Sequence, residues 1–345
     1  MTTLAALYLA ATALILSAGS LVSASTRVNY GFYGQSAITT SGPDALVVNS
    51  TGNSVTEFNI ATGALVRVVK SARYGFNGPS TITISGDDAV VVNATGNSVT
   101  EFNIATGALV RVVKSARYGF NGPSAITISG DDAFVANQNS TGTRNNGFVT
   151  EFNTSTGALV RVLRGKAYGF NDPWAIAISG GIALVTNASS NTVTEFNSAS
   201  GALVRVLRGK AYGFNGPQTI SLAESHAFIT NENSDTVTEF NTATGALVRV
   251  LRAARYGFNW PTDITISSDD AFVTNLRGST VTEFNAATGA LVGVLKAARY
   301  DFNGPTAITI SGDDAFVTNE GSTPAPAPSV TEFNIATGAL VRVLR

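Results

Sequence analysis

The sequence predicts an all-β fold, a seven-bladed β-propeller with four antiparallel strands in each blade, and three observations lead there. First, the string Val-Thr-Glu-Phe-Asn occurs seven times, with its glutamate at 57, 101, 151, 195, 239, 283 and 332. The step is 44 residues, apart from one six-residue and one five-residue insertion, and residues 53–80 return unchanged as residues 97–124. Such a period marks units that bury their apolar faces only by stacking on neighbours. Second, apolar residues within a unit alternate with a period of two, the pattern of a strand and not of a helix. Third, every connection is short, so consecutive strands pair antiparallel. Seven such meanders arranged radially bury both faces of each sheet. A parallel β-helix is the alternative repeat architecture, but its coils are usually shorter and lack tight antiparallel turns.

Residues 74–117 show the elements of one unit in order. Thr81-Ile82-Thr83-Ile84 alternates and is rich in β-branched residues, predicting the first strand. Ser85-Gly86-Asp87-Asp88 supplies turn chemistry. Residues 89–92 predict the second strand, and Asn93-Ala94-Thr95-Gly96-Asn97 the next turn. Val99-Thr100-Glu101-Phe102 predicts the third strand, Ala105-Thr106-Gly107 a turn, and residues 108–113 the fourth strand at the outer edge. Arg111 and Lys114 are expected to keep that edge from pairing with other chains. The glutamate of each third strand is expected to face an arginine of the fourth, as Glu57 faces Arg67. That predicts seven similar exposed pairs, each worth only ~0–1 kcal/mol.

Composition narrows the function classes. The net charge is −1, with 22 basic and 23 acidic residues, so there is no basic surplus to drive nucleic-acid binding. The basic residues recur with the repeat and read most simply as a solvated ring or stripe. Without cysteine there is no disulfide framework, thiol nucleophile or thiolate metal site. Residues 1–26 carry no charged side chain, and residues 4–16 are nearly all apolar. Followed by Val22-Ser23-Ala24, this run fits an export signal with a small-residue cleavage site, although no Lys or Arg precedes it. An uncleaved membrane anchor over 4–22 and a decayed repeat are the other readings. The expected organisation is therefore a leader or anchor at 1–26 and one propeller domain at 27–345. The expected location is extracellular or the cell envelope.

The run Ala-Ile-Thr-Ile-Ser-Gly-Asp-Asp-Ala-Phe-Val-Thr-Asn at 307–319, followed by Val-Thr-Glu-Phe-Asn and Ala-Thr-Gly-Ala-Leu-Val, resembles the bacterial NHL-type and YVTN-type propeller repeats. Virginiamycin B lyase-like proteins are among them. The resemblance spans all seven units and implies the propeller fold. For the lyases it also implies a catalytic histidine and a metal site. Here the single histidine, His226, stands where other units carry Asp88 or Asp132.

Candidate sites follow from comparing the units with one another. Turns at one end of the blades barely vary. Those at the other end, called the top here, hold the insertions at 138–147 and 322–328 and both tryptophans, Trp174 and Trp260. Tyr33, Leu276, Arg277, Glu232 and Glu320 diverge there too. Change confined to one face is what loop-borne binding produces, while surface loops also vary without function. Exposed indoles suit sugars, peptides or protein partners, or else cap blade packing. The asparagines ending each second strand, Asn49 to Asn319, either cap their own turns or form a carboxamide ring at the channel mouth. His226 with Glu224 is a weak metal candidate. No Ser-His-Asp set, nucleophile elbow, phosphate loop, zinc spacing or calcium loop is present. The expectation is an exported, non-enzymatic scaffold, with no cofactor, that binds a protein or glycan at the cell surface. The rival is a metal-assisted lyase or lactonase using a divalent cation.

Overall fold

A computed structural model describes residues 28–114, 116–139, 147–321 and 327–345. The segment expected to be a leader or anchor, and most of both insertions, lie outside the described residues. Seven four-stranded sheets are present, each made of four consecutive strands in order. Blade 2 has strands Pro79–Ser85, Asp88–Asn93, Ser98–Asn103 and Leu109–Val113, close to the sequence expectation. The remaining six blades repeat this plan, all with antiparallel pairing.

Burial follows position in the sheet. The second strands are solvent-free over five consecutive residues, as in Ala89 to Asn93, because a neighbouring blade covers each face. Outer strands alternate, with Val66 and its counterparts exposed. Apolar clusters lie between blades: Phe58, Val47 and Tyr30 of blade 1 and its entry meet Phe316, Val330 and Leu344 of blade 7. At ~25 cal/mol per Å² of apolar surface buried, this interblade packing is the main cohesive term.

The recurrent Tyr-Gly-Phe-Asn is a peg between blades. Tyr74 stacks on Phe76 and meets Phe102 edge-on, and its hydroxyl donates to the Gly107 carbonyl at 2.5 Å. The same bond joins Tyr168 to Gly201 and Tyr300 to Gly338 at 2.6 Å. Each bond ties an entry segment to the turn between the third and fourth strands of the blade that follows.

The ring closes without strand exchange. Gln35 takes the place of the proline that opens the first strand in every other blade, and its side-chain amide donates to the Ser329 carbonyl of blade 7 at 3.1 Å. The Thr306 hydroxyl donates to the Gln35 carbonyl at 3.2 Å, and Arg342 donates to the Ala61 carbonyl at 2.9 Å.

One expectation needs correction. Six glutamate–arginine pairs form, at 2.6 to 3.1 Å, and not seven. Nor are they surface pairs, since the six glutamate side chains are at most 6% exposed. Each of these arginines also crosses to the next blade, as Arg67 does to the Ala105 carbonyl at 2.9 Å. Arg111 thus serves the blade seam and does not stand guard at an edge.

Candidate functional site

The first strands of all seven blades line a central channel, and its top end opens into a hollow of about 480 Å³. The second residue of each first strand rims this mouth: Ser36, Ser80, Ser124, Trp174, Gln218, Thr262 and Thr306. Most of the hydroxyls latch onto the next blade. Ser124 donates to the Pro173 carbonyl at 2.7 Å and Thr262 to the Pro305 carbonyl at 3.3 Å. Blades 4 and 5 break this rule with a tryptophan and a glutamine.

Trp174 is 42% exposed, far more than an indole at a packed blade seam. It lines the channel mouth and also a second hollow of about 420 Å³ over blades 4 and 5, as does Gln218. That second hollow is polar, with Asp172, Ser189, Asn191, Asn215, Glu232 and Asn233 in its wall. The Gln218 amide donates to the Glu232 carboxylate. Asn191 also belongs to a third hollow of about 550 Å³, which runs to the rim past Lys166, Arg208 and Lys210. Sharing these wall residues, the three hollows adjoin one another as a trough of three compartments, from the channel centre to a basic outer end.

Trp260 lies beside this trough, on the far side of Glu232. Its backbone is left-handed, with φ of 56°, at a position where blades 1, 2, 3, 5 and 7 use glycine. A side chain there costs about 1–2 kcal/mol. Two contacts hold it: the Trp260 amide donates to Asp235 Oδ1 at 2.7 Å, and the Arg277 guanidinium lies over the indole. Burial pushes the Glu232 carboxyl up, and the nearby Arg277 charge opposes that. Glu320 lines the channel mouth, its carboxyl likewise raised by burial. Leu276 joins it there. Tyr33 is 59% exposed over blade 1 and lines none of the three hollows.

Sequence comparison overlooked Asp263. At the third position of the first strand the blades carry Ala37, Thr81, Ala125, Ala175, Thr219, Asp263 and Ala307, so one carboxylate is set into the channel wall. It accepts from the backbone amides of Ile264 in its own blade and Ile308 in the next, both at 2.9 Å. Burial pushes its carboxyl up to about 6, against the pull of those two donors and of Thr219. The signal was available in sequence, as one acid in a column of alanine and threonine.

The asparagine ring is structural. Asn93 is solvent-free; its amide donates to Thr100 Oγ1 at 2.9 Å and its oxygen accepts from the Asn77 backbone at 3.3 Å. Thr100 in turn donates to the Tyr74 carbonyl at 2.7 Å, so the unit fastens the entry segment to the sheet. The equivalents in the other six blades are equally buried and none faces the channel. His226 begins the second strand of blade 5 at the bottom, away from the trough, and its Nδ1 lies 2.7 Å from Glu239, not against Glu224. Among the described residues no three His, Cys, Asp or Glu side chains are grouped to hold a metal ion.

No family model and no curated protein matches the chain. Solved structures do. Virginiamycin B lyase from Staphylococcus aureus superposes with a TM-score of 0.67 at 14% identity, covering 86% of this chain and 94% of that one. A streptogramin B lyase gives 0.68 at 13%, covering 84% and 92%. Hydrazine synthase from Kuenenia stuttgartiensis gives 0.69 at 17%, covering 92% and 99%. The chain shares the β-propeller fold of these proteins. At these identities the likeness extends to architecture alone, and the functions of the three differ among themselves.

Proposed function

We propose that this chain is a non-catalytic binding propeller whose top-face trough takes an acidic oligosaccharide. The carrying observation is Trp174, an exposed indole that forms the shared wall of two contiguous hollows. A flat apolar face beside clustered carboxamides and hydroxyls suits the two sides of a sugar ring, one of C–H groups and one of hydroxyls. Asn191, Asn215 and Asn233 offer donors and acceptors for those hydroxyls. Lys166, Arg208 and Lys210 at the outer end match a uronate or sulfate group. The apolar 1–26 segment supports delivery to the cell envelope or beyond, where such a ligand is met.

Calorimetry with neutral and acidic oligosaccharides, followed by a glycan array, tests this reading. Acidic ligands are expected to bind, and Trp174→Ala to weaken them at least about tenfold, the worth of one stacking contact. Absence of binding across the array, or equal binding by the variant, would overturn it.

A further inference from the structure

Blade 6 carries Gly293 where the other six carry the seam arginine, and what that arginine does elsewhere defines what is missing here. In the six intact seams a guanidinium sits between the glutamate of its own blade and the turn carbonyls of the next. Arg249 reaches Glu239 at 2.6 Å and the Ala287 carbonyl at 2.6 Å, and Arg67 makes the same two contacts in its own seam. The turn glycine of the following blade abuts that guanidinium, so that a Cβ on Gly107 would lie 2.8 Å from Arg67.

Between blades 6 and 7 both halves of the cradle remain. Glu283 faces the vacated place, opposite Gly293 in the sheet register. The counterpart of the Ala287 carbonyl is that of Ala336, and the turn glycine Gly338 has only the Tyr300 hydroxyl within 4 Å of an added Cβ, where its counterparts meet arginine. Space beside Gly293 is open, with no atom within 4 Å of an added Cβ. Glu283 is half-buried, in contrast to the covered glutamates of the other blades. The charged side chain set against it is Asp270 of the second strand, which adds to the negative field. The fourth strand offers only Gly293 there.

We propose that the seam between blades 6 and 7 is a binding site for a guanidinium cation, held by the Glu283 carboxylate and by the turn carbonyls around Ala336. The observation that points to this ligand is internal to the molecule. Six copies of the same carboxylate and the same turn each hold that group, in a geometry that rewards a planar fork of donors over a point charge. The occupant is either an arginine side chain of another polypeptide or a free small guanidinium compound, and the chemistry of the site is the same for both.

The test follows the melting temperature of the full chain at pH 8 while methylguanidinium is titrated at low concentration. Sodium chloride of equal ionic strength and urea, the uncharged planar analogue, serve as controls. A rise of about 2 °C is expected once the cation exceeds its Kd about tenfold, growing with the logarithm of concentration thereafter. Gly293→Arg supplies the group internally and should abolish the response, and Glu283→Gln should abolish it by removing the carboxylate. A response no larger than that to sodium chloride, or one retained in Glu283→Gln, overturns the site, even if Gly293→Arg fails to fold. N-acetylarginine methylamide separates the sources. If it acts at lower concentration than methylguanidinium, the occupant is a polypeptide side chain; if not, a free small cation. This inference is independent of the top-face trough, and Trp174→Ala should leave it intact.

Discussion

Gly293→Arg is the substitution with the most readable energetics, because the molecule contains six working versions of the contact it would create. The backbone accepts it: Gly293 has no left-handed φ, and a Cβ there meets nothing. Replacing a strand glycine recovers about 0.5–1 kcal/mol through the unfolded chain. A charge-assisted hydrogen bond to Glu283 and another to the Ala336 carbonyl add about 1.5–3 kcal/mol. Ordering the long side chain removes about 1.5–2 kcal/mol. The net gain is about 1 kcal/mol, or roughly 1–2 °C in melting temperature for a chain of this size.

Its pH dependence is the sharper check. With no arginine, burial and Asp270 push the Glu283 carboxyl up from 4.5 to about 7. An acid whose folded value lies above its unfolded value keeps its proton in the folded state while the unfolded chain has lost it. Wild-type stability therefore falls as pH rises from 4.5 to about 7. Solvent screening of a half-exposed carboxyl reduces that loss to about 1–2 kcal/mol. In the variant the guanidinium opposes that shift, as in the six paired blades, where burial still raises the glutamate carboxyl, so the loss is reduced. Calorimetric melts from pH 4 to pH 8 should show a gap that is small in acid and widens towards neutrality. A gap that does not change with pH, or a variant that melts below wild type at pH 8, would refute the argument.

Trp174→Ala is expected to weaken oligosaccharide binding at least about tenfold while the melting temperature stays within about 1 °C, because the indole is exposed. Tyr74→Phe deletes the hydroxyl bonded to Gly107 and should lower stability by about 1–2 kcal/mol in denaturant melts, since it leaves a buried carbonyl without its partner. A charged ligand in the channel mouth is expected to show a step in affinity near pH 6, because burial pushes the Asp263 carboxyl up to about 6, and Asp263→Asn should remove that step. A pH profile that the substitution leaves unchanged would place the titrating group elsewhere.

The fold was legible because it is written seven times. A single unit with alternating Thr-Ile-Thr-Ile leaves its partner strands open, but a fixed step around a ring forces each strand to the same depth in every copy. The site was legible only where it breaks the repeat at the surface, as Trp174 and Trp260 do. Asp263 was missed because one strand position was not compared across blades, and its neighbours there are inconspicuous alanines and threonines. Arg277 was read as a variable loop residue, yet its role is to cover Trp260, a contact between two turns of one blade that no periodicity reveals. The missing arginine at 293 was also visible in sequence. Its meaning was not, because the pairs were taken for surface pairs, and only the geometry shows each guanidinium reaching across a seam.

The distribution of change around the ring carries a further consequence. Blades 1 and 2 are identical through their third and fourth strands, while blade 6 alone combines Trp260, Asp263, Leu276, Arg277 and Gly293. Trp260 and Arg277 face blade 5, through Asp235 and Glu232, while Asp263, Leu276 and Gly293 lie at the seam to blade 7. At its outer end that seam has lost the arginine that bridges every other pair of blades. At its inner end it has a bridge that the others lack, from the Asp263 carboxylate to the Ile308 amide. The seam is thus one side-chain bridge short at its outer end and one richer at the channel. The Asp263 bond pins that seam at the channel while leaving its outer edge free to admit a ligand. The acid in the channel wall therefore also bridges two blades, and the divergence of blade 6 falls on both of its seams, two changes towards blade 5 and three towards blade 7.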